Sequence, residues 1–303
     1  DIKGQLSNKL YSNLYQVNFA YPFDVVRSIR AMVGYRSDRV VIKTDANFPP
    51  ALTYGDTVLH NALARLEYVH DKTLNPALNI WNGLRYKFYV DINSRMGTKQ
   101  TEGRLTFNFG TDVRYYYPIY RNFIWAGRAA ADISWGDQKM IYYLGGVDGW
   151  ISPKFNNNIR PSTSETYAFQ SLAVNLRGHV QNVANGNNAF VLNSEFRLPV
   201  FTTFFNRPVN NAFIRNFQIT QFIDMGTAWS GPFKDIERPN IVYGTPPVQV
   251  KVKTGGLGPF VGGYGFGVRS TLLGYFLRLD AGWPMGGFFR GKPQWYFAMG
   301  LDF

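Results

Sequence analysis

The sequence contains no cysteine and no long uninterrupted hydrophobic run. A chain without cysteine has no disulfide, no thiolate metal site and no cysteine nucleophile. A membrane-spanning helix needs about 20 consecutive apolar residues, and here every apolar run is interrupted within a few positions by Arg, Asp, Asn or Gly. These absences exclude thiol chemistry and a helical membrane protein. They leave a β-barrel open, since only alternate residues of its strands face lipid.

Charged residues are also scarce, at 17% of the chain, although the formal net charge is +12. The basic residues are not gathered into one stripe or arm, because they alternate with apolar residues along the chain. A nucleic-acid-binding domain normally carries a compact basic patch or a basic motif. We therefore expect no nucleic-acid partner. We interpret the basic side chains as the lining of a pore and as partners for acidic loops, outer-membrane lipids and lipopolysaccharide.

Aromatic residues are abundant, at 17% of the chain, and they are spread mostly in ones and twos along its whole length. Trp81, Trp125, Trp135 and Trp229 fall near the ends of predicted strands, where the aromatic girdles of membrane barrels lie. A soluble β-protein also alternates apolar and polar residues, but its strands seldom run for about ten residues with so many aromatic side chains. The distribution favours the membrane barrel.

The recurring unit is a segment of about ten residues that alternates apolar and polar side chains and ends in a turn or polar loop. In 84–92, apolar side chains occupy the even positions, and Arg85, Lys87 and Asp91 lie among the odd ones. This pattern predicts twelve strands, at residues 10–21, 24–35, 57–70, 83–95, 103–116, 121–134, 138–145, 189–200, 213–228, 260–271, 274–284 and 294–303.

The predicted fold is therefore an all-β, antiparallel transmembrane barrel in a single domain, 1–303. A long loop, 146–188, interrupts the series of strands, and loops of that length are usually functional or disordered. The last strand ends the chain, with Phe297, Met299, Leu301 and Phe303 on one face. Such a C-terminal aromatic pattern is typical of the signal that directs assembly of outer-membrane barrels. The first residues carry no signal peptide, so we expect either a cleaved leader or a chain that begins partway into a longer protein.

Four sequence segments in the second half carry the most information: YLGGVDGW (143–150), NLRGH (175–179), GNNAFVLNSEFRLPVF (186–201) and FQITQFIDMGTAW (217–229). Together they resemble the bacterial surface-antigen barrel superfamily, which includes barrels for outer-membrane protein assembly and for two-partner secretion. The resemblance covers at least residues 139–303, and the sequence around the loop looks most like that of the Bacteroidota branch. Members of this superfamily usually have sixteen strands, which implies about four strands and a periplasmic region upstream of this chain.

The resemblance implies that the long loop folds into the barrel lumen. Its Leu-Arg-Gly-His motif would dock Arg177 and Gly178 on the Phe-x-Asp-x-Gly strand that contains Asp224 and Gly226, although the family usually has Tyr or Phe where this chain has His179. The alternation agrees, since it turns Phe217, Ile219, Ile223 and Met225 toward lipid and Asp224 toward the lumen. Glu195, Arg269 and Asp280 also project inward and could join the network, and inward glycines at 263, 265 and 267 would leave room for the loop.

The residues give no support to catalysis or to a bound cofactor. The histidines, His60, His70 and His179, are isolated in sequence and lack the spacing of a metal site, and no Ser–His pair or Gly-x-Ser-x-Gly motif is placed for lipid hydrolysis. We predict no catalytic residue, no metal and no cofactor.

Three functions remain open at this stage. The first is a barrel that inserts or secretes proteins at the outer membrane, with protein clients and other outer-membrane or periplasmic subunits as partners. The second is a structural anchor for a larger outer-membrane complex. The third is a passive diffusion porin, whose selectivity would be set by Arg85, Arg104, Arg114 and Arg128.

Overall fold

The computed structural model describes residues 8–42, 57–74, 82–96, 105–161, 167–170, 174–205, 209–232, 240–243, 250–253, 259–286 and 291–300. Most of these residues lie in β-strands, and the predicted all-β class is confirmed. The helices within these ranges are short, and none has the length and hydropathy that a membrane crossing requires.

The strands and helices in chain order are β1 Asn8–Pro22, β2 Arg27–Ile42, β3 Thr57–Leu74, β4 Asn82–Met96, β5 Leu105–Tyr120, β6 Phe123–Gly136, β7 Lys139–Leu144, β8 Tyr167–Gln170, β9 Ala184–Gly186, β10 Asn188–Pro199, α1 Val200–Phe204, α2 Ala212–Arg215, β11 Gln218–Trp229, β12 Asn240–Tyr243, β13 Val250–Lys253, β14 Val261–Leu272, β15 Tyr275–Pro284 and β16 Gln294–Met299.

Eleven strands form one large antiparallel sheet, in the order β1-β2-β3-β4-β5-β6-β10-β11-β14-β15-β16. The sheet is not closed among the described residues, and β1 and β16 are its two edges. The chain leaves the sheet after β6 and returns at β10, which pairs directly with β6. We call residues 137–187 the inserted segment, and the face of the sheet on which it packs the inner face.

The strands alternate as the sequence predicts. In β10, Val191, Asn193 and Glu195 are buried on the inner face, whereas Leu192 and Phe196 are exposed on the outer face. The same period of two places Asp224 on the inner face of β11 and exposes Ile219 and Ile223. Because successive side chains of a strand point to opposite faces, the outer face becomes apolar and the inner face polar.

The segment predicted as the seventh barrel strand, 138–145, does not belong to the large sheet. Its residues form β7, which pairs with β8 and β9 in a separate three-stranded sheet inside the inserted segment. Ile141, Tyr142, Tyr143 and Leu144 are all buried, so this strand has no alternation between an exposed face and a buried one. A continuous apolar run of this kind is typical of a strand covered on both faces. The large sheet therefore has eleven strands among the described residues, one fewer than predicted.

The predicted strand 213–228 also begins too early. Residues Ala212–Arg215 form α2, and the strand starts at Gln218. The side chain of Asn211 accepts hydrogen bonds from the backbone N–H groups of Phe213 and Ile214, which caps the helix. The local capping interaction outweighs the aromatic alternation here.

Candidate functional site: a buried arginine network under the inserted segment

Arg177 attaches the inserted segment to the inner face of β11. Its backbone N–H donates to Asp224 Oδ2 at 3.0 Å, and its guanidinium donates from Nε to Oδ2 at 2.7 Å and from Nη2 to Oδ1 at 2.9 Å. Arg177 is 3% exposed and Asp224 is fully buried. Two parallel guanidinium–carboxylate bonds and one backbone bond define both the position and the direction of the segment at this point.

A second carboxylate, Glu195 on β10, holds three arginines together. It accepts from Arg177 Nη1 at 2.5 Å, from Arg197 Nε at 2.6 Å and from Arg269 Nη2 at 2.6 Å. Glu195 and Arg197 are 0% exposed and Arg269 is 1% exposed. The network therefore links β10, β14 and the inserted segment through charge-assisted hydrogen bonds in an interior shielded from water.

Asp280 on β15 is a third buried carboxylate beside the site. Its carboxylate lies against Gly267, where a Cβ atom would be 1.8 Å from Asp280 Oδ1. Its negative charge adds to those of Asp224 and Glu195 in stabilising the charged Arg177 guanidinium. Buried charges are tolerated when they are paired.

The guanidinium of Arg177 keeps its proton in this site. Burial lowers its pKa, but the charges of Asp224 and Glu195 outweigh that effect and hold the pKa above its usual range. The guanidinium carbon also lies 3.8 Å from the centroid of the Phe222 ring, which is fully buried. A cation over an aromatic face in a desolvated site gains further stabilisation. Arg177 is thus a permanently charged anchor.

Glycines allow the backbone of the inserted segment to lie directly on the sheet. Gly178 has a φ of +94°, a conformation that residues with a side chain rarely adopt. A Cβ atom on Gly263 would be 1.8 Å from the Arg177 carbonyl oxygen, and one on Gly282 would be 2.7 Å from the Gly178 nitrogen. The close approach of the motif to β14 and β15 therefore requires glycine at these positions.

The residues on either side of Arg177 and Gly178 make different contacts. Leu176 is buried in an apolar cluster with Tyr142, Leu144, Ala184, Ala189, Ala228 and Val261. His179 Nε2 is 2.8 Å from the carbonyl oxygen of Gly262, and the His179 carbonyl oxygen accepts from Tyr296 Oη at 2.8 Å. Burial lowers the pKa of His179, and a neutral imidazole with its proton on Nε2 donates to Gly262. The histidine therefore supplies a hydrogen bond from the inserted segment to the sheet.

The structure brings most of the predicted site residues together. Arg177, Gly178, Asp224, Glu195 and Arg269 share the contacts described above, and Asp280 lies beside them. Gly226 lies under Leu176, whose Cδ1 atom would be 3.0 Å from a Cβ at that position. Of the predicted C-terminal signal, Phe297 and Met299 are exposed on the outer face, and Leu301 and Phe303 lie outside the described residues.

Sequence reasoning placed Phe222 in the docking motif but missed Arg197, Gly282 and Tyr296 as parts of the site. Arg197 had a usable signal, because it lies two residues from Glu195 on the same face of β10. Gly282 and Tyr296 had none, since their contacts join segments that are more than 100 residues apart in the chain.

Comparison with solved structures identifies the architecture of the sheet. BamA from Haemophilus ducreyi, in a form lacking POTRA domains 1–3, superposes with a TM-score of 0.57 at 12% sequence identity, over 97% of this chain and 54% of that one. CdiB from Escherichia coli superposes with a TM-score of 0.52 at 12% identity, over 96% of this chain and 45% of that one. The fold is that of the BamA and CdiB barrels. The chain spans about half the length of each of these structures.

Sequence comparisons alone do not lead to this result. No model of a protein family matches the chain, and no curated protein matches it. The likeness to BamA and CdiB lies in the backbone, and at 12% identity it concerns the fold alone.

Proposed function

We propose that this chain is the barrel of a Bacteroidota-type outer-membrane protein that inserts or secretes other proteins at the outer membrane. The observation that carries the proposal is the docking of the inserted segment by Arg177 on Asp224 and Glu195. The fold of BamA and CdiB supports it, as do the motifs around Arg177. The partners would be protein clients, other outer-membrane or periplasmic subunits, and the lipids around the barrel, including lipopolysaccharide.

The outer face of the sheet supports the location. Phe88, Val90 and Ile92 on β4 are each more than a third exposed, and Phe266 and Val268 on β14 are as well. An apolar face of this extent is unfavourable in water, whereas lipid covers the outward side chains of a membrane barrel. The short connections, such as 121–122 and 273–274, lie at one end of the sheet, and the inserted segment enters at the other. In outer-membrane barrels the short turns are periplasmic and the long loops extracellular.

The docked segment has a physical role in this proposal. Its Arg177 network joins β10, β11 and β14 across the inner face, so it keeps the segment in one place. A passive porin would need an open inner face, and the packing of the inserted segment against β10, β11, β14 and β15 argues against that function. No catalytic role is part of the proposal.

The test is Arg177→Ala in the native protein, in its own outer membrane. Removal of one partner of a buried ion pair typically costs about 3–5 kcal/mol, so we expect a lower thermal midpoint in detergent. We also expect reduced amounts of other outer-membrane proteins, measured by quantitative proteomics. Arg177→Lys keeps the charge but loses the paired bonds to Asp224, and we expect an intermediate result.

Arg30→Ala is the matched control, because Arg30 pairs with Glu67 at 3.7 Å and is about half exposed. Such a pair contributes about 0–1 kcal/mol, so the proteome should not change. The proposal fails if Arg177→Ala leaves both the thermal midpoint and the outer-membrane proteome as in the wild type. Loss of one bound complex, with no change in other outer-membrane proteins, would favour the structural anchor instead.

A further inference from the structure

A groove lies in the outer face of the sheet, over β5, β6, β10 and β11. Its volume is about 410 Å³, which is within the range of sites that hold a small organic molecule. Gly127 and Ala129 on β6 form the floor, because their side chains are the smallest of the lining. Larger side chains of the three other strands form the sides: Val113, Tyr115, Leu192, Ile223 and Met225. We call this feature the wall groove.

Two aromatic residues, Tyr115 and Trp125, border the wall groove on the side of the short connection 121–122. Their ring centroids are 6.3 Å apart, with an angle of 67° between the ring planes. The Trp125 ring extends over Gly127, where a Cβ atom would be 2.8 Å from the ring carbon Cη2. Glycine at 127 therefore allows the indole to lie along the wall beside the floor of the groove.

The polar side chains around the floor have partners within the protein. Trp125 Nε1 donates to Ser194 Oγ at 2.9 Å. The Arg128 guanidinium is directed to the inner face, where it donates to Asp112 Oδ2 at 3.1 Å and to Asn193 Oδ1 at 3.2 Å. The floor and sides thus present mainly carbon to an occupant. A sugar or a peptide backbone would lose its hydrogen bonds on entry, whereas a hydrocarbon chain would not.

The outer face continues beyond the groove into the connection between β10 and β11, which contains α1 and α2. Phe217 shares the outward phase of Ile219, and its ring contacts Phe201 at 6.2 Å and Phe213 at 6.3 Å between centroids. The connection is fixed to the end of the sheet, since Asn122 Nδ2 donates to the Thr202 carbonyl oxygen at 3.0 Å. Its exposed aromatic side chains are Phe204, Phe205 and Phe213. Aromatic side chains at the end of an apolar wall are typical of a membrane–water interface.

Two exposed cations lie at the same end of the sheet. Arg121 is in the turn before β6, and Arg215 is in the last turn of α2. Basic side chains at this level attract the phosphate groups of lipids. The short connections of outer-membrane barrels are periplasmic, so the polar end of the wall groove faces the periplasmic leaflet. That leaflet contains phospholipids, and lipopolysaccharide lies in the opposite one.

We infer that the wall groove binds one acyl chain of a phospholipid from the periplasmic leaflet. The phosphate of this lipid lies at the level of Arg121 and Arg215. The inference rests on the outer-membrane location in the proposed function, but it adds a lipid site that protein insertion or secretion does not require. Burial from water does not favour the groove over the rest of the wall, because hydrocarbon surrounds both. Packing does, since atoms that line an unfilled recess lose their contacts.

Native mass spectrometry tests the inference on the full-length protein in detergent, titrated with palmitoyl-oleoyl phosphatidylethanolamine. About ten additional carbon–carbon contacts correspond to a roughly tenfold difference in affinity, so the first lipid should bind at least about tenfold more tightly than later ones. Ala129→Phe fills the groove from its floor and should abolish this first, tight binding. Ala281→Phe places the same side chain on the outer face of β15, away from the groove, and is the matched control.

A second measurement uses the wild-type protein, so it is valid even if Ala129→Phe fails to fold. The protein is placed in vesicles of phosphatidylethanolamine and phosphatidylglycerol with a trace of phosphatidylethanolamine that carries a diazirine on one acyl chain. After irradiation, peptide mass spectrometry locates the adducts. Leu192 in the groove and Phe88 on β4 are both 42% exposed, so passing lipids would label them alike. We expect several times more adduct at Leu192.

Four results would overturn the inference. They are equal affinity for the first lipid in Ala129→Phe and wild type, equal labelling of Leu192 and Phe88, displacement of the lipid by an equal concentration of lipid A, and loss of a bound polypeptide instead of a lipid in Ala129→Phe. The last result would assign the groove to a protein partner. Lipid binding is measured on the purified protein, so its failure leaves the Arg177→Ala test of the proposed function untouched. Tight lipid binding with an unchanged proteome in Arg177→Ala would reject the proposed function alone.

Discussion

Gly263 and Arg177 show how single residues position the inserted segment. The Arg177 side chain supplies charge-assisted bonds to Asp224 and Glu195, but its backbone can reach them only because β14 has no side chain at 263. The carboxylates that attract Arg177 lie on β10 and β11, whereas the glycine that makes room for its backbone lies on β14. Either one without the other would leave two carboxylates buried beside an unfilled space, which is unfavourable.

Replacement of Gly263 by Ala should dislodge the segment without any change of charge. The new Cβ would overlap the Arg177 carbonyl oxygen, and overpacking of this kind typically costs about 1–3 kcal/mol. We expect trypsin, which cleaves after arginine, to cut after Arg177 in the variant and not in the wild type, as detected by mass spectrometry. Gly286→Ala is the control, since nothing lies within 4 Å of a Cβ there. Equal protection of Arg177 in both variants would contradict the packing argument.

At the scale of the element, β7 is a strand whose sequence pattern does not tell whether it lies in the barrel wall or is covered on both faces. The sequence KMIYYL is apolar at consecutive positions, and its length is compatible with a strand in either environment. The barrel wall requires exposure at every second residue, and β7 has none from 141 to 144. Its partners are β8 and β9, which the sequence placed in a loop. The element was predicted, and its location was wrong.

Cysteine labelling can distinguish the two kinds of strand. We expect a lipid-soluble maleimide to modify Leu192→Cys on the outer face of β10 and to spare Val191→Cys, because their exposed fractions are 42% and 0%. In β7 the variants Ile141→Cys and Tyr142→Cys should both be spared, since both faces are covered. Mass spectrometry before and after denaturation gives the labelled fraction at each position. If only one of the variants at 141 and 142 were modified, β7 would have one exposed face, which would contradict its location inside the inserted segment.

At the scale of the whole molecule, the number of strands determines whether the sheet can close into an antiparallel barrel. The eleven antiparallel strands of the described residues leave two edges that run in the same direction, so an all-antiparallel barrel needs an odd number of further strands. We expect the protein isolated from its own membrane to include such strands, in a longer polypeptide or in an associated chain. The measurement is the intact mass of the native particle and of each polypeptide in it. A single polypeptide of 34.5 kDa, with no associated chain, would contradict the expectation.

The amino-acid sequence by itself determined which side chains face inward and which face outward. Period-two alternation depends only on the geometry of a strand, so it placed Asp224, Glu195 and Arg269 on the inner face correctly. Neighbouring strands are also local in this fold, since most of them follow one another along the chain. The all-β class and most strand positions follow from these short-range regularities.

Only the tertiary structure decided the location of β7, the contact of Gly178 with Gly282, the bond from Arg197 to Glu195 and the pairing of Gly149–Ile151 with β16. Each of these depends on contacts between distant segments, such as Trp150 with Ala298 and Gly178 with Gly282. A short apolar run, a glycine or a Gly-Trp-Ile tripeptide is compatible with several environments. The choice among them depends on which backbone and side-chain atoms the rest of the fold brings within contact distance.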